Sequence, residues 1–462
     1  MHPRLAVAVA AGQFATLLSR RLGIGGGTTA PGHLVRVLDP GAVSAIAAGI
    51  PSGSIVVTGT NGKTTTSRMI STVLRKAGLQ VMHNRSGANL IAGITSTLVN
   101  GSTLAGRPRA DVGLFEVDEA TFPAALQELR PRLCVLTNLF RDQLDRYGEV
   151  DYLSRLWRDA LQRLPISSTV LLNADDPRIA DLGEGLSCRV LYYGVEDVSL
   201  AAPSVTHAAD SRFCLRCGAP YHYDVAFYSH IGHYRCLSCG ASRPEPQLKV
   251  TGAELLGTEG SLLSLETPAG ALNLHVRVPG LYNAYNALAA AAAGVAMGID
   301  PAAITSGIDE FSAAFGRVER VNVQGQKVFL ALVKNPVGFT EVLSTILRDP
   351  GEKGVMIVIN DLFADGTDVS WLWDVDFELL AGRLTFATVS GLRAEDMAVR
   401  LKYAGVDPSL IDVESDSAKA LQISLERTPE GATLYLLPTY TAMLEVRGRM
   451  ADAGLLSRFW ED

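Results

Sequence analysis

The sequence predicts an α/β fold with two sheet-containing domains and a small inserted module. The chain has 462 residues, of which 47% are apolar and 19% are charged, enough for two or three buried cores. Strand-like runs alternate with helical patterns after residue 54 and again between 321 and 450, as in sheets built from strand–helix–strand units. Two closely spaced cysteine pairs in the middle of the chain indicate the inserted module.

Residues 1–48 are predicted to form an amphipathic helix and a lead-in to the first domain. The apolar stretch after Arg4 is interrupted by Gln13 and by the polar cluster at 19–21, well short of the roughly 20 apolar residues of a membrane-spanning helix. Glycines within 23–27 end the helix. A signal peptide is the alternative, but its basic region would be thin and no cleavage site follows. Peripheral membrane contact of this helix stays open.

Charge and cysteine usage limit the partners and the compartment. The net charge of −7 gives no general attraction to nucleic acid, so no nucleic acid partner is predicted. Six cysteines, four of them in two pairs, fit a reducing compartment better than a disulfide framework. We therefore expect a cytoplasmic protein that holds any anionic ligand by local contacts.

The first strand–helix unit carries a phosphate-binding loop. Residues 54–66, SIVVTGTNGKTTT, contain a buried strand, a turn bounded by glycines and the start of a helix. Such a turn presents backbone N–H groups to an anion, a lysine to the outer phosphates and a hydroxyl to Mg²⁺. Val57 replaces the usual first glycine, and a plain glycine turn is the alternative. The predicted nucleotide contacts are Gly59, Thr60, Asn61, Gly62, Lys63, Thr64 and Thr65.

Acidic side chains follow the next two predicted strands. The run 111–120 ends in Glu116, Asp118 and Glu119. In the run 133–150, Asp142 and Asp145 follow the predicted strand. The carboxyl ends of parallel strands bind ligands in open α/β sheets, and Mg²⁺ prefers carboxylate oxygens. Glu116 directly ends the apolar run and is the predicted catalytic carboxylate beside the metal. Asp118 and Glu119 could equally cap helices.

These motifs resemble the Mur ligase family. The resemblance rests on GTNGKTT, on TNLFRDQLDRYG, on LLNADDP at 171–177 and on PGLYNAYNALAA at 279–290. It implies an ATP-binding central domain over 49–318 and a Rossmann-like C-terminal domain over 319–462. It also implies that ATP and Mg²⁺ convert a substrate carboxylate into an acyl phosphate, and that Asn283 and Asn286 lie near the adenine.

Two departures from the family pattern argue against an enzyme that adds amino acids. Gln143 replaces the histidine of the family's DHLD motif. The amino-acid-adding members also use a carbamylated lysine, yet this chain has no lysine between Lys76 and Lys249.

The middle of the chain has the spacing of a Cys₄ zinc ribbon, inserted at about 205–246. The pattern C-x₂-C-x₁₈-C-x₂-C, with a glycine after each pair, supplies four thiolates for one tetrahedral Zn²⁺. Four thiolates leave no open position, so a structural role is predicted. Three histidines in the segment are interpreted as packing or surface residues, and a redox role for the pairs is the lesser alternative. The predicted ligands are Cys214, Cys217, Cys236 and Cys239.

Together with the cysteine insertion, NDLFADGTDVSWLWD makes the chain resemble the MurT branch of the family, the ligase-like subunits of lipid II isoglutaminyl synthase. The resemblance implies amidation of the α-carboxylate of D-glutamate in the lipid II stem peptide to D-isoglutamine. It also implies a heterodimer with a glutaminase, GatD, that supplies ammonia. The alternatives are a free-standing Mur or folylpolyglutamate-like ligase and a non-catalytic nucleotide-binding scaffold.

The loop at 360–376 contains five aspartates, but the last third of the chain has no cysteine or histidine with which they could form a catalytic group. No histidine follows His275 and no cysteine follows Cys239. A cysteine–histidine glutaminase needs a carboxylate to orient its imidazole, and the resemblance implies that this loop provides it to the partner.

Asp365 and Asp368 lie in the flexible part of the loop and are expected to reach outward. Asp365 is favoured narrowly over Asp368 because the adjacent glycine allows close backbone approach by a partner. Asp361 stays a third candidate, although local backbone N–H groups could hold it at the strand end, and Asp374 and Asp376 are expected to cap a helix. The alternative is that all five aspartates are turn and cap residues.

Overall fold

The computed structural model describes residues 3–22, 29–84, 87–141, 150–202, 211–312, 318–323 and 325–452. These residues form a nine-stranded sheet, a six-stranded sheet and a two-stranded hairpin. Successive strand residues enter opposite cores; in the first strand Ile55 and Val57 face one core and Val56 faces the other. The predicted α/β fold class is confirmed.

The first large sheet and the hairpin are built from the first eleven strands. The strands are β1 (Ser54–Thr58), β2 (Val81–His83), β3 (Val112–Glu116), β4 (Leu133–Leu136), β5 (Thr169–Asn173), β6 (Arg189–Val195), β7 (Tyr221–Tyr228), β8 (Ile231–Cys236), β9 (Leu248–Leu255), β10 (Ser261–Thr267) and β11 (Gly270–Val276). The sheet order is β11-β10-β9-β6-β5-β4-β1-β3-β2, and β7 pairs with β8 alone. Pairing is parallel from β2 to β9 and antiparallel among β9, β10 and β11.

The chain order of this sheet reverses at β1. Strand β1 pairs in parallel with β3 on one side and with β4 on the other. Connections that leave neighbouring strands in opposite directions open a crevice at the carboxyl edge, where open α/β sheets bind ligands. The phosphate-binding loop follows β1 and therefore lies in this crevice, flanked by the ends of β3 and β4.

Ten helices of the described chain accompany the first sheet. They are α1 (Pro3–Leu22), α2 (Ala30–Leu38), α3 (Ala42–Ala47), α4 (Lys63–Lys76), α5 (Ile91–Asn100), α6 (Phe122–Leu129), α7 (Val150–Leu161), α8 (Pro177–Asp181), α9 (Leu281–Ala296) and α10 (Pro301–Asp309). Helix α9 packs against α4 and the sheet, and its alanines at 287, 289–293 are fully buried because small side chains allow this close approach.

Helix α1 forms where the sequence predicts it and packs against α2 and α5. Its buried side includes Ala8 and Val9, whereas Val7, Phe14 and Leu17 are exposed on the opposite side. The glycines predicted to end it lie outside the described residues. Among the residues that are described, no helix has the length and hydropathy needed to cross a bilayer.

The second large sheet contains the last six strands and has its own helices. Its strands are β12 (Val318–Val323), β13 (Gln326–Ala331), β14 (Lys353–Val358), β15 (Leu384–Ser390), β16 (Ile411–Val413) and β17 (Thr433–Pro438). Its helices are α11 (Pro336–Ile346), α12 (Ala394–Tyr403), α13 (Ser417–Arg427) and α14 (Tyr440–Asp452). The order is β12-β13-β17-β14-β15-β16, parallel except for β12 with β13, so β14 lies at a second point of reversal. The predicted domain boundary between 318 and 319 stays a prediction.

Candidate functional site

Two glycines give the phosphate-binding loop its shape. Gly59 has φ +137° and Gly62 has φ +83°, conformations that other residues rarely adopt. A Cβ atom on Gly62 would lie 2.0 Å from Asn286 Oδ1, and one on Gly59 would lie 2.1 Å from Thr137 Oγ1. Any side chain at either position would therefore displace the neighbouring strand or helix.

Polar side chains at the end of β4 hold the loop in place. Asn138 Oδ1 accepts a 2.8 Å hydrogen bond from Asn61 N, and Asn138 Nδ2 donates to Asn61 O at 3.1 Å. Thr60 Oγ1 accepts from Phe140 N at 2.9 Å. Helix α4 begins immediately after the loop, so its first-turn N–H groups point toward the crevice. The loop is thus braced before any anion binds.

Lys63, the predicted phosphate-binding lysine, lies over this loop. Its Nζ atom donates to Gly59 O at 2.6 Å and Thr60 O at 3.1 Å, and forms an ion pair of 2.8 Å with Glu119 Oε1. Glu119 is therefore the partner of Lys63 rather than a helix cap. Asp118 Oδ1 accepts from Ala120 N at 3.1 Å, a local turn contact.

Glu116 is the buried carboxylate at the end of β3. Its backbone is fixed by Asn84, which donates to Glu116 O and accepts from Glu116 N at 2.9 Å each. The residue is 4% exposed, and its carboxylate makes no hydrogen bond to any residue that the structure describes. A buried carboxylate in this state fits a hard divalent cation such as Mg²⁺. Gln143 and the acids at 142 and 145 lie outside the described residues.

A cleft extends from the loop to the second sheet. Its volume is about 890 Å³ when the space that opens to solvent is included. Asn283 and Asn286 line it from the first turns of α9. Asn286 Nδ2 donates to Asn283 Oδ1 at 3.0 Å, and Thr66 Oγ1 donates to Asn286 Oδ1 at 3.2 Å. The structure therefore brings both predicted asparagines to the cleft, beside the loop.

The second sheet closes the other side of the cleft. Asn335, which begins the turn before α11, donates from Nδ2 to Asn61 Oδ1 at 2.9 Å. Lys334 and Glu341 also line the cleft. A second contact joins the two halves: Thr258 N and Oγ1 donate to the Asp349 carboxylate at 2.9 and 2.8 Å.

Burial changes the acidity of Glu341. The Glu341 side chain is buried on the apolar side of α11. Desolvation raises its pKa to about 8, and the negative charge of Asp376 acts in the same direction, whereas the positive charge of Arg348 opposes the change. The cleft therefore contains a carboxyl group that is protonated at neutral pH and can donate a hydrogen bond.

We expect the substitution Glu341→Gln to remove a pH dependence of stability. The pKa of Glu341 is raised in the folded state. The stability that this group contributes is therefore complete below its unfolded pKa of 4.5 and is lost as pH rises to about 8. Between these two pH values, the free energy of unfolding of the wild type should fall by a few kcal/mol more than that of the variant, at roughly 1.4 kcal/mol per pKa unit. Urea unfolding at about pH 5 and about pH 8 measures the difference, and equal pH dependence of both proteins would contradict the assignment.

The four predicted cysteines converge at the base of the β7–β8 hairpin. Their Sγ atoms all lie within 4.8 Å of one another, with 3.5 Å between Cys214 and Cys239 and 3.4 Å between Cys217 and Cys236. A Zn²⁺ tetrahedron with 2.3 Å bonds has S···S edges of about 3.8 Å, so the cluster fits this ion. Gly218 and Gly240, with φ +76° and +77°, close the two knuckles.

The histidines of this segment have other contacts. His222 is half exposed and lies 3.3 Å from Asp224. His233 Nε2 is 2.7 Å from Val195 O, which anchors the hairpin to the first sheet. His230 is fully buried against the Phe140 ring at 4.6 Å between centroids. These contacts agree with the prediction that the histidines serve packing or surface roles.

The loop after β14 holds its aspartates in different ways. Asp361 forms a 2.6 Å ion pair with Arg393. Asp368 is exposed, and hydrogen bonds from the backbone and hydroxyl of Ser370 lower its pKa. Asp365 is only 5% exposed, accepts a 2.8 Å hydrogen bond from Thr441 N and also accepts from the Thr441 hydroxyl. The expectation that Asp365 reaches outward is wrong, because it binds the start of α14.

Large apolar side chains are exposed around the same loop. Phe363 is 89% exposed, and Leu362 and Leu392 are also exposed. Trp373 packs against Tyr403 with 5.8 Å between ring centroids, and both remain exposed. Leu362, Phe363 and Leu392 follow β14 and β15 at the carboxyl edge of the second sheet, whereas Tyr403 ends α12 toward the opposite edge. The first three residues therefore form the candidate docking surface.

Several cleft residues were not identified from the sequence. Tyr228 comes from the hairpin and Phe140 follows β4; neither has a local motif that marks it as a cleft residue. Asn335 caps α11, and no local motif marks it as a contact of Asn61 in the loop. Glu341 interrupts an apolar helix, and an acid in such a position is the signal that could have identified it.

The loop, the flanking carboxylate and the cleft define a nucleotide-dependent ligase of the Mur type. The family model described as "Mur ligase middle domain" matches residues 57–294, and the one described as "MurT ligase C-terminal" matches residues 332–443. The chain belongs to the MurT family of Mur ligase-like proteins.

Relatives and solved structures agree with this assignment. The chain is 34% identical over 437 residues to the lipid II isoglutaminyl synthase (glutamine-hydrolyzing) subunit MurT of Staphylococcus aureus strain N315, covering 93% of this chain and 94% of the relative. The Streptococcus pneumoniae R6 subunit of the same name is 31% identical over 99% of both chains. MurF of Acinetobacter baumannii superimposes with a TM-score of 0.66 at 18% identity, covering 93% of this chain and 81% of that chain, and shares the fold.

Proposed function

We propose that this protein is the ATP-dependent synthetase subunit of a lipid II isoglutaminyl synthase. It amidates the α-carboxylate of D-glutamate in the stem peptide to D-isoglutamine, with ammonia supplied by a glutaminase subunit, GatD. The observation that carries the proposal is 31–34% identity over nearly the full length to subunits of this name. The Mur ligase family membership supports ATP as the energy source.

The site residues are suited to phosphoryl transfer. The γ-phosphoryl group passes from ATP to the substrate carboxylate, which leaves ADP and an acyl phosphate; ammonia then attacks the acyl carbon and releases inorganic phosphate. Lys63 and the loop N–H groups neutralise charge on the transferring group, and Thr64 and Glu116 would hold Mg²⁺. Mg²⁺ supplies further charge neutralisation when bound. Asn283 and Asn286 would lie near the adenine of the nucleotide.

Zinc is the metal proposed for the four-cysteine cluster. Four thiolates at these separations complete a tetrahedral shell, which gives the ion a structural role. Cys214, Cys217, Cys236 and Cys239 would hold it.

The nitrogen donor is supplied by another subunit. The part of the chain after Cys239 contains no cysteine, and no histidine follows His275. The exposed Phe363, at the carboxyl edge of the second sheet, is an aromatic side chain of the kind enriched at protein interfaces. Asp365, fixed by Thr441, is the carboxylate proposed to orient the partner's imidazole, since the aspartate of such triads is itself buried and hydrogen-bonded. Asp368 is the competing candidate.

Co-expression with a glutaminase of the GatD type tests the function. Mass analysis of the lipid-linked precursor should show a decrease of about 1 Da, because carboxylate activation followed by amidation replaces a hydroxyl by an amino group. Glutamine labelled in its amide nitrogen should pass the label to the product. A precursor that instead gains the mass of an amino acid would support the free-standing ligase, and the missing lysine between Lys76 and Lys249 argues against that outcome.

The protein is proposed to work in the cytoplasm, at the inner face of the plasma membrane. A lipid-linked substrate lies in the membrane, and α1 exposes an apolar stripe that contains Val7, Phe14 and Leu17. Arg4 and Arg21 are exposed near its two ends. We propose that this stripe contacts an anionic bilayer, with the arginines near the lipid headgroups.

Vesicle binding checks the membrane contact. Phe14→Glu with Leu17→Glu should weaken co-sedimentation with anionic vesicles by on the order of tenfold or more, because each side chain loses its apolar burial. Ile166→Glu is the matched control, since Ile166 is 80% exposed outside α1. Equal binding of the double variant and the control would refute the contact.

A further inference from the structure

The β7–β8 hairpin connects the cysteine cluster to the nucleotide cleft. At its base, Tyr221 pairs with Cys236; at its tip, Tyr228 pairs with Ile231. At about 3.3 Å per residue, the hairpin spans roughly 20 Å. Its tip reaches the cleft, where the Tyr228 side chain is one of the lining groups.

Aromatic packing fixes the tip against the nucleotide-binding elements. The Tyr228 ring packs edge-on against Tyr285, with 5.6 Å between centroids, and lies 6.3 Å from Phe140. Tyr285 lies on α9 between the two asparagines that line the cleft, and Phe140 is tied to the phosphate-binding loop through Thr60. Displacement of the tip would therefore disturb both ends of the proposed nucleotide site.

A buried ion pair makes a second connection just after the second knuckle. Arg243 N donates to Tyr234 O in the hairpin, and Arg243 Nε lies 2.5 Å from Asp175 Oδ1. Asp175 is fully buried, and its other oxygen accepts from Tyr285 OH at 2.6 Å. Tyr285 of α9 is therefore contacted directly by Tyr228 at the tip and, through Asp175, by Arg243 after the second knuckle.

A bound metal would add stability to the hairpin in this position. A two-stranded hairpin alone is marginally stable, and small modules of this type gain their folding free energy from the bound metal. The Sγ atoms of the cluster have tetrahedral separations in this structure, so the hairpin conformation that supplies Tyr228 to the cleft is the one that holds the metal.

We infer, on the basis of the proposed nucleotide site, that the metal-bound ribbon is a working part of that site. Tyr228 is a positioning residue that the ribbon supplies to the cleft, and loading of the four cysteines is thermodynamically linked to nucleotide binding. Linkage is reciprocal: the factor by which zinc strengthens nucleotide binding is the factor by which nucleotide strengthens zinc binding. Couplings of this kind are typically about 5- to 150-fold.

Two measurements on the full chain test the linkage from both directions. Calorimetric titration with Mg·ADP, before and after zinc removal by a chelator, should show weaker binding in the zinc-free protein within the range of about 5- to 150-fold. Zinc release to a chromophoric chelator should be slower when ADP is present. Circular dichroism checks that the zinc-free protein retains its helices.

The variant Tyr228→Ala provides a test that needs no metal removal. It should retain one equivalent of zinc, bind ADP more weakly and lose the effect of ADP on zinc release. His222→Ala is the matched control, because His222 is a half-exposed ring on the same strand. It should behave as the wild type.

The possible outcomes separate the linkage from the proposed function. If the wild type binds ADP equally well with and without zinc, or if Tyr228→Ala retains the effect of ADP on zinc release, the linkage is refuted while the nucleotide site stands. If the zinc-loaded wild type binds no ADP, both the linkage and the proposed function fail.

Discussion

Replacing Lys63 with alanine should lower the rate of ATP-dependent amidation by the assembled complex by at least on the order of 10²-fold. The substitution removes the cation that contacts Gly59 O and Thr60 O, and it leaves the buried Glu119 carboxylate without this ion pair beside the phosphate path. Loss of one preorganised charge at a transferring group costs on the order of 10²–10³-fold in kcat, and the added repulsion from Glu119 should increase the loss. Single-turnover phosphate release measures the effect.

Lys76→Ala is the control for this substitution. Lys76 ends the same helix, on its surface, and pairs with Glu310. It should retain normal turnover. Undiminished amidation by Lys63→Ala would contradict the phosphoryl-transfer role and would favour a scaffold that needs no nucleotide chemistry.

Replacing Asp365 with asparagine should separate the two half-reactions of the complex. The amide can keep one acceptor for Thr441 but cannot stabilise an imidazolium, so glutamine-dependent amidation should fall by on the order of 10³–10⁴-fold. Amidation with added ammonium should stay near the wild-type rate, because the nucleotide site lies on the first sheet. Assays with glutamine and with ammonium chloride distinguish these effects.

Two companion variants identify the aspartate that matters. Asp374→Asn changes an exposed acid of the same loop and should affect neither assay. Asp368→Asn should leave glutamine use intact if Asp365 orients the imidazole; the reverse pattern would transfer that role to Asp368. Loss of both activities in Asp365→Asn would show that the residue acts only by holding α14.

The sequence is most informative where function depends on residues close together in the chain. The loop at 59–65, the carboxylate of Glu116 and the paired cysteines are each defined by spacing within one turn or one strand end, and the structure brings them to the places expected. Strand-end acids could be predicted because parallel strands share a carboxyl edge. Asn283 and Asn286 were expected in the cleft only through the family resemblance.

Contacts between distant segments could not be predicted in the same way. Tyr228 enters the cleft because the hairpin folds back over Phe140 and α9, a contact that depends on the whole sheet. Asp365 was expected to reach outward because it lies in the middle of the loop, but its burial against Thr441 depends on β17 lying next to β14. Side-chain accessibility in a loop is set by tertiary neighbours rather than by its own sequence.

The contact between Asn61 and Asn335 makes the phosphate-binding loop sensitive to rotation of the second sheet. Together with the contact between Thr258 and Asp349, it joins the two halves at well-separated points of the chain. A hinge motion that swings the second sheet away must detach the carboxamide of Asn335 from the loop. A nucleotide bound between the halves would therefore select the closed arrangement, and release of ADP would require reopening.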